Sequence, residues 1–315
     1  MLSKIYCSMC GYENNPGDLL CKRCNEILHN ENVLTNIANI ATISELFDSQ
    51  YENKLQDAIL TLDSYEVIIQ NIIEIGENKI IYRKNMTPLE RVMAIAQAYS
   101  IVITKQLGNN YGEYAYNVLC IDESFDSSIQ IATIIHEITH HLFNEILKQV
   151  LMYVWSVKKS PTIDAFIQTV TSLPPVLLTS EYCASKSEER YLPSEYVSFS
   201  SFNHICEDIN YDNKIILNSF IIGNAMSESI IKILSHFIDS DLEKKIKDEF
   251  EKNQTLSIAN PICIEEKAIN NPILRNVYLM NMLVDSYILL KDDEYHHLIE
   301  RNKQLFEKSY NKQEH

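Results

Sequence analysis

Two groups of residues in this chain have the types and spacing of metal ligands, and they are of different kinds. The first is His136-Glu137-Ile138-Thr139-His140. An α-helix turns once in about 3.6 residues, so histidines four apart project from one face and both imidazoles can reach a single Zn²⁺. Glu137 is offset toward the same opening, where a carboxylate can take a proton from activated water and pass it to a leaving amine. That makes Glu137 the candidate catalytic base, and His136 and His140 the candidate ligands of a catalytic zinc.

His141 adjoins the motif but points some 100° away from His140 on a helix, so it is read as supporting the ligands or facing solvent. A catalytic zinc takes three protein ligands and keeps a fourth position open. Candidates for the third are Asp164, Glu181, Glu188, Glu189 and His204. Glu181 leads, because Ser180-Glu181-Tyr182-Cys183-Ala184 opens a helix after a proline-rich loop, and small Ala184 permits close packing on the motif helix. The competing reading is a first-turn glutamate favoured by the helix dipole.

The second group is Cys7-x2-Cys10 and Cys21-x2-Cys24, separated by ten residues that include Gly11 and Asn15-Pro16-Gly17. Two such knuckles place four thiolates around Zn²⁺ at ~2.3 Å, and the metal substitutes for a hydrophobic core. The expectation is a structural zinc in a ribbon over residues 1–28. Lys4, Lys22 and Arg23 are balanced there by Glu13, Asp18 and Glu26, which leaves no basic patch to hold phosphate. Bracing or contact with a protein partner is the role that fits. The remaining cysteines, Cys120, Cys183, Cys206 and Cys263, are isolated, which suits a reducing compartment.

The elements that must position these residues follow from composition and pattern. The chain has 315 residues, 46% apolar and 22% charged, with only 6 glycines, and Gly223 is the only glycine from Glu113 to His315. Few positions are thereby licensed for left-handed turns, and a helix-rich body is expected. No glycine cluster exists to bring backbone amides to phosphate, which excludes Rossmann and P-loop nucleotide chemistry. The formal charge of −16 opposes nucleic acid and anionic lipid as partners. No apolar run approaches the ~18 residues of a bilayer span, and no leader precedes Cys7, so a cytoplasmic protein is expected.

Apolar residues recur at helical spacing through Val33, Ile37, Ile40, Ile43 and Leu46, then Leu55, Ile59 and Leu62, and mark residues 29–84 as a helical connector. Within it, Glu66 to Ile75 fits a helix or a strand, and Lys79 to Arg83 a short strand. Thr87 and Pro88 then start a helix reaching Tyr99. Ser100 to Thr104 reads as a strand, the cluster from Gly108 to Gly112 as a turn, and Ala115 to Ile121 as a second strand. Polar Asp122 to Ser128 caps a long helix striped by Ile131, Ile134, Ile135, Ile138, Leu142 and Ile146, which carries the histidines.

A short helix from Asp164 to Thr171 and another from Ser180 to Tyr191 complete a core over residues 85–200. Helices Asn218 to Ile238, Leu242 to Phe250 and Pro272 to Leu290, with a charged, frayed tail, form a helical C-terminal region over 201–315. The fold class expected is α+β and mainly helical, with a small sheet packed on the motif helix.

From about Thr87 to Pro193 the chain resembles the bacterial and phage metallopeptidases of the ImmA/IrrE type, within the gluzincin-like group. The resemblance runs through Val92-Met93-Ala94-Ile95-Ala96, the strand Ile101-Val102-Ile103, then Ile134 to Leu142, and closes with Glu181-x-x-Ala184 leading to Leu192-Pro193. It implies His136, His140 and Glu181 as zinc ligands and Glu137 as general base. It also implies cleavage of a repressor or other specific regulatory protein. The interval from His140 to Glu181 is longer than in that family, and Lys186, Ser187, Glu188 and Glu189 stand where small apolar residues are usual. The expected function is a zinc peptidase with a protein substrate; the alternative is a non-catalytic binding or regulatory protein in which zinc holds the fold.

Overall fold

Short polar side chains before the helices set where most of them begin, by accepting amide hydrogens that the first turn leaves unpaired. The computed structural model describes residues 5–6, 12–14, 21–23, 38–106, 112–257, 259 and 271–313. Strands β1 (Ile5–Tyr6) and β2 (Glu13–Asn14) pair antiparallel. Thr42 caps α1 (Ile43–Leu46), Asp48 caps α2 (Ser49–Gln56) and Thr61 caps α3 (Leu62–Lys79). Thr87 forms a capping box with Glu90 at the start of α4 (Pro88–Ala98), with Pro88 at the first position as expected.

The sheet follows. Strands β3 (Val102–Gln106), β4 (Gly112–Ala115) and β5 (Val118–Asp122) lie in the order β3-β5-β4, with β3 parallel and β4 antiparallel to β5. Asp126 then caps α5 (Ser127–Trp155), a 29-residue helix at the centre of the molecule. Ser160 caps α6 (Pro161–Thr171), and α7 (Pro174–Tyr191) carries no side-chain cap. A 3₁₀ turn at Ser194–Tyr196 leads to α8 (Ser200–Asp208). The chain continues through α9 (Asn213–Leu234), α10 (Ser240–Lys252), α11 (Pro272–Leu290) and α12 (Asp293–Gln313). The architecture is mainly helical with one small three-stranded sheet, in line with the expected class.

One open alternative is resolved and three expectations are corrected. The isoleucine-rich stretch is helical in α3, which buries Tyr65, Ile68, Ile69, Ile72 and Ile73 on one face. That helix runs to Lys79, so no strand forms at 79–83 and Ile81 is exposed. The single strand expected from Ala115 is a hairpin, with Ala115 opposite Val118 and Tyr116-Asn117 as its two-residue turn. The charged tail is the helix α12, whose Ile299, Asn302 and Phe306 recur at helical spacing and are buried. The proposed turn at Gly108 lies outside the described residues.

Low glycine content does not spare the chain left-handed backbone. Asn85, Ser100, Tyr116, Asn117, Ser156, Asn210, Tyr211 and Gln254 all have positive φ, so ordinary side chains carry strain that glycine would avoid.

One cluster of buried side chains extends from Ile40 to Phe306, with α5 running through it. In its C-terminal half α5 is buried nearly all round, so its charges need partners. Lys148 Nζ lies 2.5 Å from Glu145 and 3.0 Å from Asp164 of α6. Among the described residues α11 is the one helix long and apolar enough to cross a membrane by length and composition; Leu279, Leu283, Tyr287 and Leu290 on it are buried in the protein.

Helix α9 lies against α7, the helix that carries Glu181, and they approach closely at Gly223. A Cβ there would stand 2.6 Å from Tyr182 Cδ1 and 3.3 Å from the Thr179 carbonyl. Gly223→Ala should therefore lower stability by about 1–3 kcal/mol in a denaturant titration, as expected for overpacking. An unchanged midpoint would show that the two helices can part without cost.

Candidate metal centre

The site forms where α5 crosses α7. His136 and His140 lie one turn apart on α5 with ring centroids 4.8 Å apart. Glu181 comes from α7, and one ligand atom from each of His136, His140 and Glu181 lies within 4.8 Å of the others, so the group could hold a metal ion. His136 Nε2 is 3.4 Å from Glu181 Oε2, and His140 Nε2 is 3.5 Å from Glu181 Oε1. Ala184, one turn beyond Glu181, is completely buried in the packed body of α7.

Glu181 does not sit in a first turn. Pro174 and Pro175 occupy the first two positions of α7, where their missing amide hydrogens are no loss, so the helix starts six residues before Ser180. Since the helix dipole fades within the first turn, the dipole reading of Glu181 lapses.

The outer nitrogen of each histidine is also occupied. His140 Nδ1 is 2.7 Å from Ser180 Oγ, and His136 Nδ1 is 3.4 Å from Glu188 Oε1. With Nδ1 engaged, Nε2 of each ring is left facing Glu181, the arrangement that orients metal-ligating histidines. Neither Ser180 nor Glu188 was assigned this part from sequence. The signal was present, since Glu188 follows Glu181 by seven residues, two helical turns on the same face.

The other candidate ligands lie elsewhere. Asp164 is buried against Lys148, Glu189 is exposed and pairs with Lys186, and His204 is 76% exposed on α8. His141 does not face solvent: it is buried, with Nδ1 2.7 Å from the Tyr114 hydroxyl, and burial lowers its pKa to about 3.

Charge at the site favours a cation. Burial would raise the Glu181 carboxyl, but the His140 and His136 rings hold it down to about 2. Burial alone would lower His136, yet Glu188 and Glu181 on its two nitrogens raise it well above its usual value. Burial lowers His140 to about 4, which keeps that ring neutral, the form that binds metal. Glu181 Oε2 is buried without a hydrogen-bond partner among the described residues. Two nitrogens and a carboxylate oxygen directed at one point, one of them otherwise unsatisfied, fit a four-coordinate metal with one position left for water or substrate.

Glu137 sits beside this group, half-buried. Burial raises its carboxyl to about 7; His136 opposes the rise, and Glu181, Glu188 and Glu113 of β4 add to it.

Of the second cysteine group, Cys7, Cys10 and Cys24 lie outside the described residues. Cys21 is buried, and its Sγ accepts from the Arg23 amide at 3.4 Å and from Asn14 Nδ2 at 3.7 Å. No family model, no curated protein and no solved structure matches the chain.

If Glu188 holds His136 for a metal, Glu188→Ala should weaken affinity for added Zn²⁺ about 10–100-fold in a chelator-competition titration. Glu189→Ala should leave it unchanged. Equal effects from the two would remove Glu188 from the site.

Proposed function

We propose that the protein is a cytosolic zinc-dependent peptidase that cleaves a peptide bond in a specific protein, a repressor or other regulator. The observation that carries this reading is the convergence of His136, His140 and Glu181 beside a glutamate whose carboxyl is raised to about 7. Two imidazoles and one carboxylate are a donor set suited to zinc.

His136, His140 and Glu181 would hold the metal, with Glu188 and Ser180 fixing the two rings. When bound, the metal supplies a Lewis acid that acidifies water and polarises the scissile carbonyl. Glu137 takes a proton from water at a carboxylate oxygen as the water oxygen bonds to the scissile carbonyl carbon, and returns that proton to the amide nitrogen as the C–N bond breaks. Burial raises the Glu137 carboxyl, which brings its proton affinity closer to what both transfers need. The resemblance to ImmA/IrrE-type peptidases supports the same roles. We assign Cys7, Cys10, Cys21 and Cys24 a second, structural zinc, in a ribbon that contacts a protein partner.

Glu137 must be ionised to act as base, so activity should rise with pH as its carboxyl titrates; a bound cation favours the ionised form and places that limb below the value of about 7 that burial gives the metal-free group. Glu137→Gln should lower kcat at least about 10²-fold while the protein keeps two Zn²⁺ per chain. The substrate is found by expressing wild-type and Glu137→Gln protein in the native host and comparing protein N-termini. A new terminus seen only with wild type supports the peptidase; identical termini overturn it and leave a zinc-stabilised binding protein.

A further inference from the structure

The turn of the β4–β5 hairpin is built from residues poorly suited to it. Tyr116 and Asn117 have φ of 52° and 61°, and a two-residue hairpin turn with both central φ positive is ordinarily made by Asn-Gly or Gly-Gly. A tyrosine in this region is strained and persists only when its surroundings hold it there.

What holds it is the C-terminal helix. The Tyr116 hydroxyl donates to Asn302 Oδ1 of α12 at 2.8 Å, and its ring meets Phe306 edge-on with centroids 5.4 Å apart. Asn302 is buried, and its amide donates to Thr169 Oγ1 of α6 at 2.9 Å, so both ends of that side chain are used. Asn117 is tied inward: its Oδ1 accepts from the Tyr114 hydroxyl at 3.0 Å, and its carbonyl accepts the Val102 amide at 2.8 Å.

Strand β4 of the same hairpin packs on α5, the helix that bears His136 and His140. Tyr114 stands against His141, the neighbour of His140, with its hydroxyl 2.7 Å from Nδ1 and the two rings at 90°. A continuous set of contacts thus runs from α12 through Tyr116, Asn117 and Tyr114 to the turn of α5 that bears His140.

We propose that α12 is a clamp on the active-site hairpin, with Tyr116, Asn302 and Phe306 as positioning residues that keep β4 seated against the metal-binding turn of α5. The inference rests on the metal-centre reading above. It makes α12 a point of control, since any partner that draws α12 away from α6 releases a strained turn and loosens the packing of β4 on α5.

The test uses the full chain, with two readouts: hydrogen exchange of amides 112–122, and Zn²⁺ affinity of the histidine site by chelator competition, identified as the Zn²⁺ lost in His140→Ala. Tyr116→Phe, Asn302→Ala and Phe306→Ala are each expected to speed hairpin exchange about tenfold or more. They should also weaken that Zn²⁺ affinity about threefold to tenfold. Tyr116→Asn supplies a residue that tolerates the left-handed turn, so in its background Asn302→Ala and Phe306→Ala should no longer affect either readout.

Loss of effect in that background is a signature that general destabilisation by α12 variants would not give. Wild-type zinc affinity in Tyr116→Phe, or undiminished effects of Asn302→Ala and Phe306→Ala in the Tyr116→Asn background, overturns the clamp and leaves the metal centre standing. A wild-type protein that takes up no histidine-dependent Zn²⁺ overturns the metal centre, and the clamp with it.

Discussion

The centre depends on one convergence: two Nε2 atoms from α5 and one carboxylate from α7, each turned toward the others by contacts behind it. The constraint comes from the crossing of the helices. Ser180 and Glu188 reach the Nδ1 atoms from the same helix that delivers Glu181, so a single element supplies the third candidate ligand and both orienting groups. A shift of α7 along α5 would therefore lose all three contacts together. Close approach of α7 and α9 at Gly223, and burial of Tyr182 beside Glu181, oppose such a shift.

Burying so many ionisable groups in one helix is costly unless each charge meets a partner. Helix α5 separates them into two sets. Toward α7, His136 lies between Glu181 and Glu188, an arrangement that demands a positive charge, supplied by a proton or by a metal. Further along, Lys148 meets Glu145 and Asp164, which closes that set on itself and removes Asp164 from competition for metal. Protons and metal thus compete for His136, and acid should weaken metal binding for the same electrostatic reason that the ring's pKa is raised.

Much of the centre was legible in the sequence because helical spacing is a strong constraint. A spacing of four from His136 to His140 places both rings on one face wherever the helix sits, and an Asp or Thr before an apolar stripe marks a helix start at Thr87 and Asp126. Glu181 was reachable through small Ala184 beside it. What failed to show depends on tertiary contact. Glu188 reads as one of several candidate ligands, and its place behind His136 shows only when α7 is laid on α5. Tyr116-Asn117 carries no glycine to announce a turn, because Asn302 and Phe306, some 190 positions away, hold it. The helix α12 was hidden by its charge, since only one stripe of it meets α6 and the rest faces water.

Zinc-edge anomalous diffraction from crystals grown with Zn²⁺ tests the centre most directly. A peak bonded to Nε2 of His136, Nε2 of His140 and a carboxylate oxygen of Glu181, at about 2.0–2.2 Å from each, is the expected result. Crystals whose only zinc peak lies at the cysteines, with the two histidines still paired to Glu181 and Glu188, would contradict it.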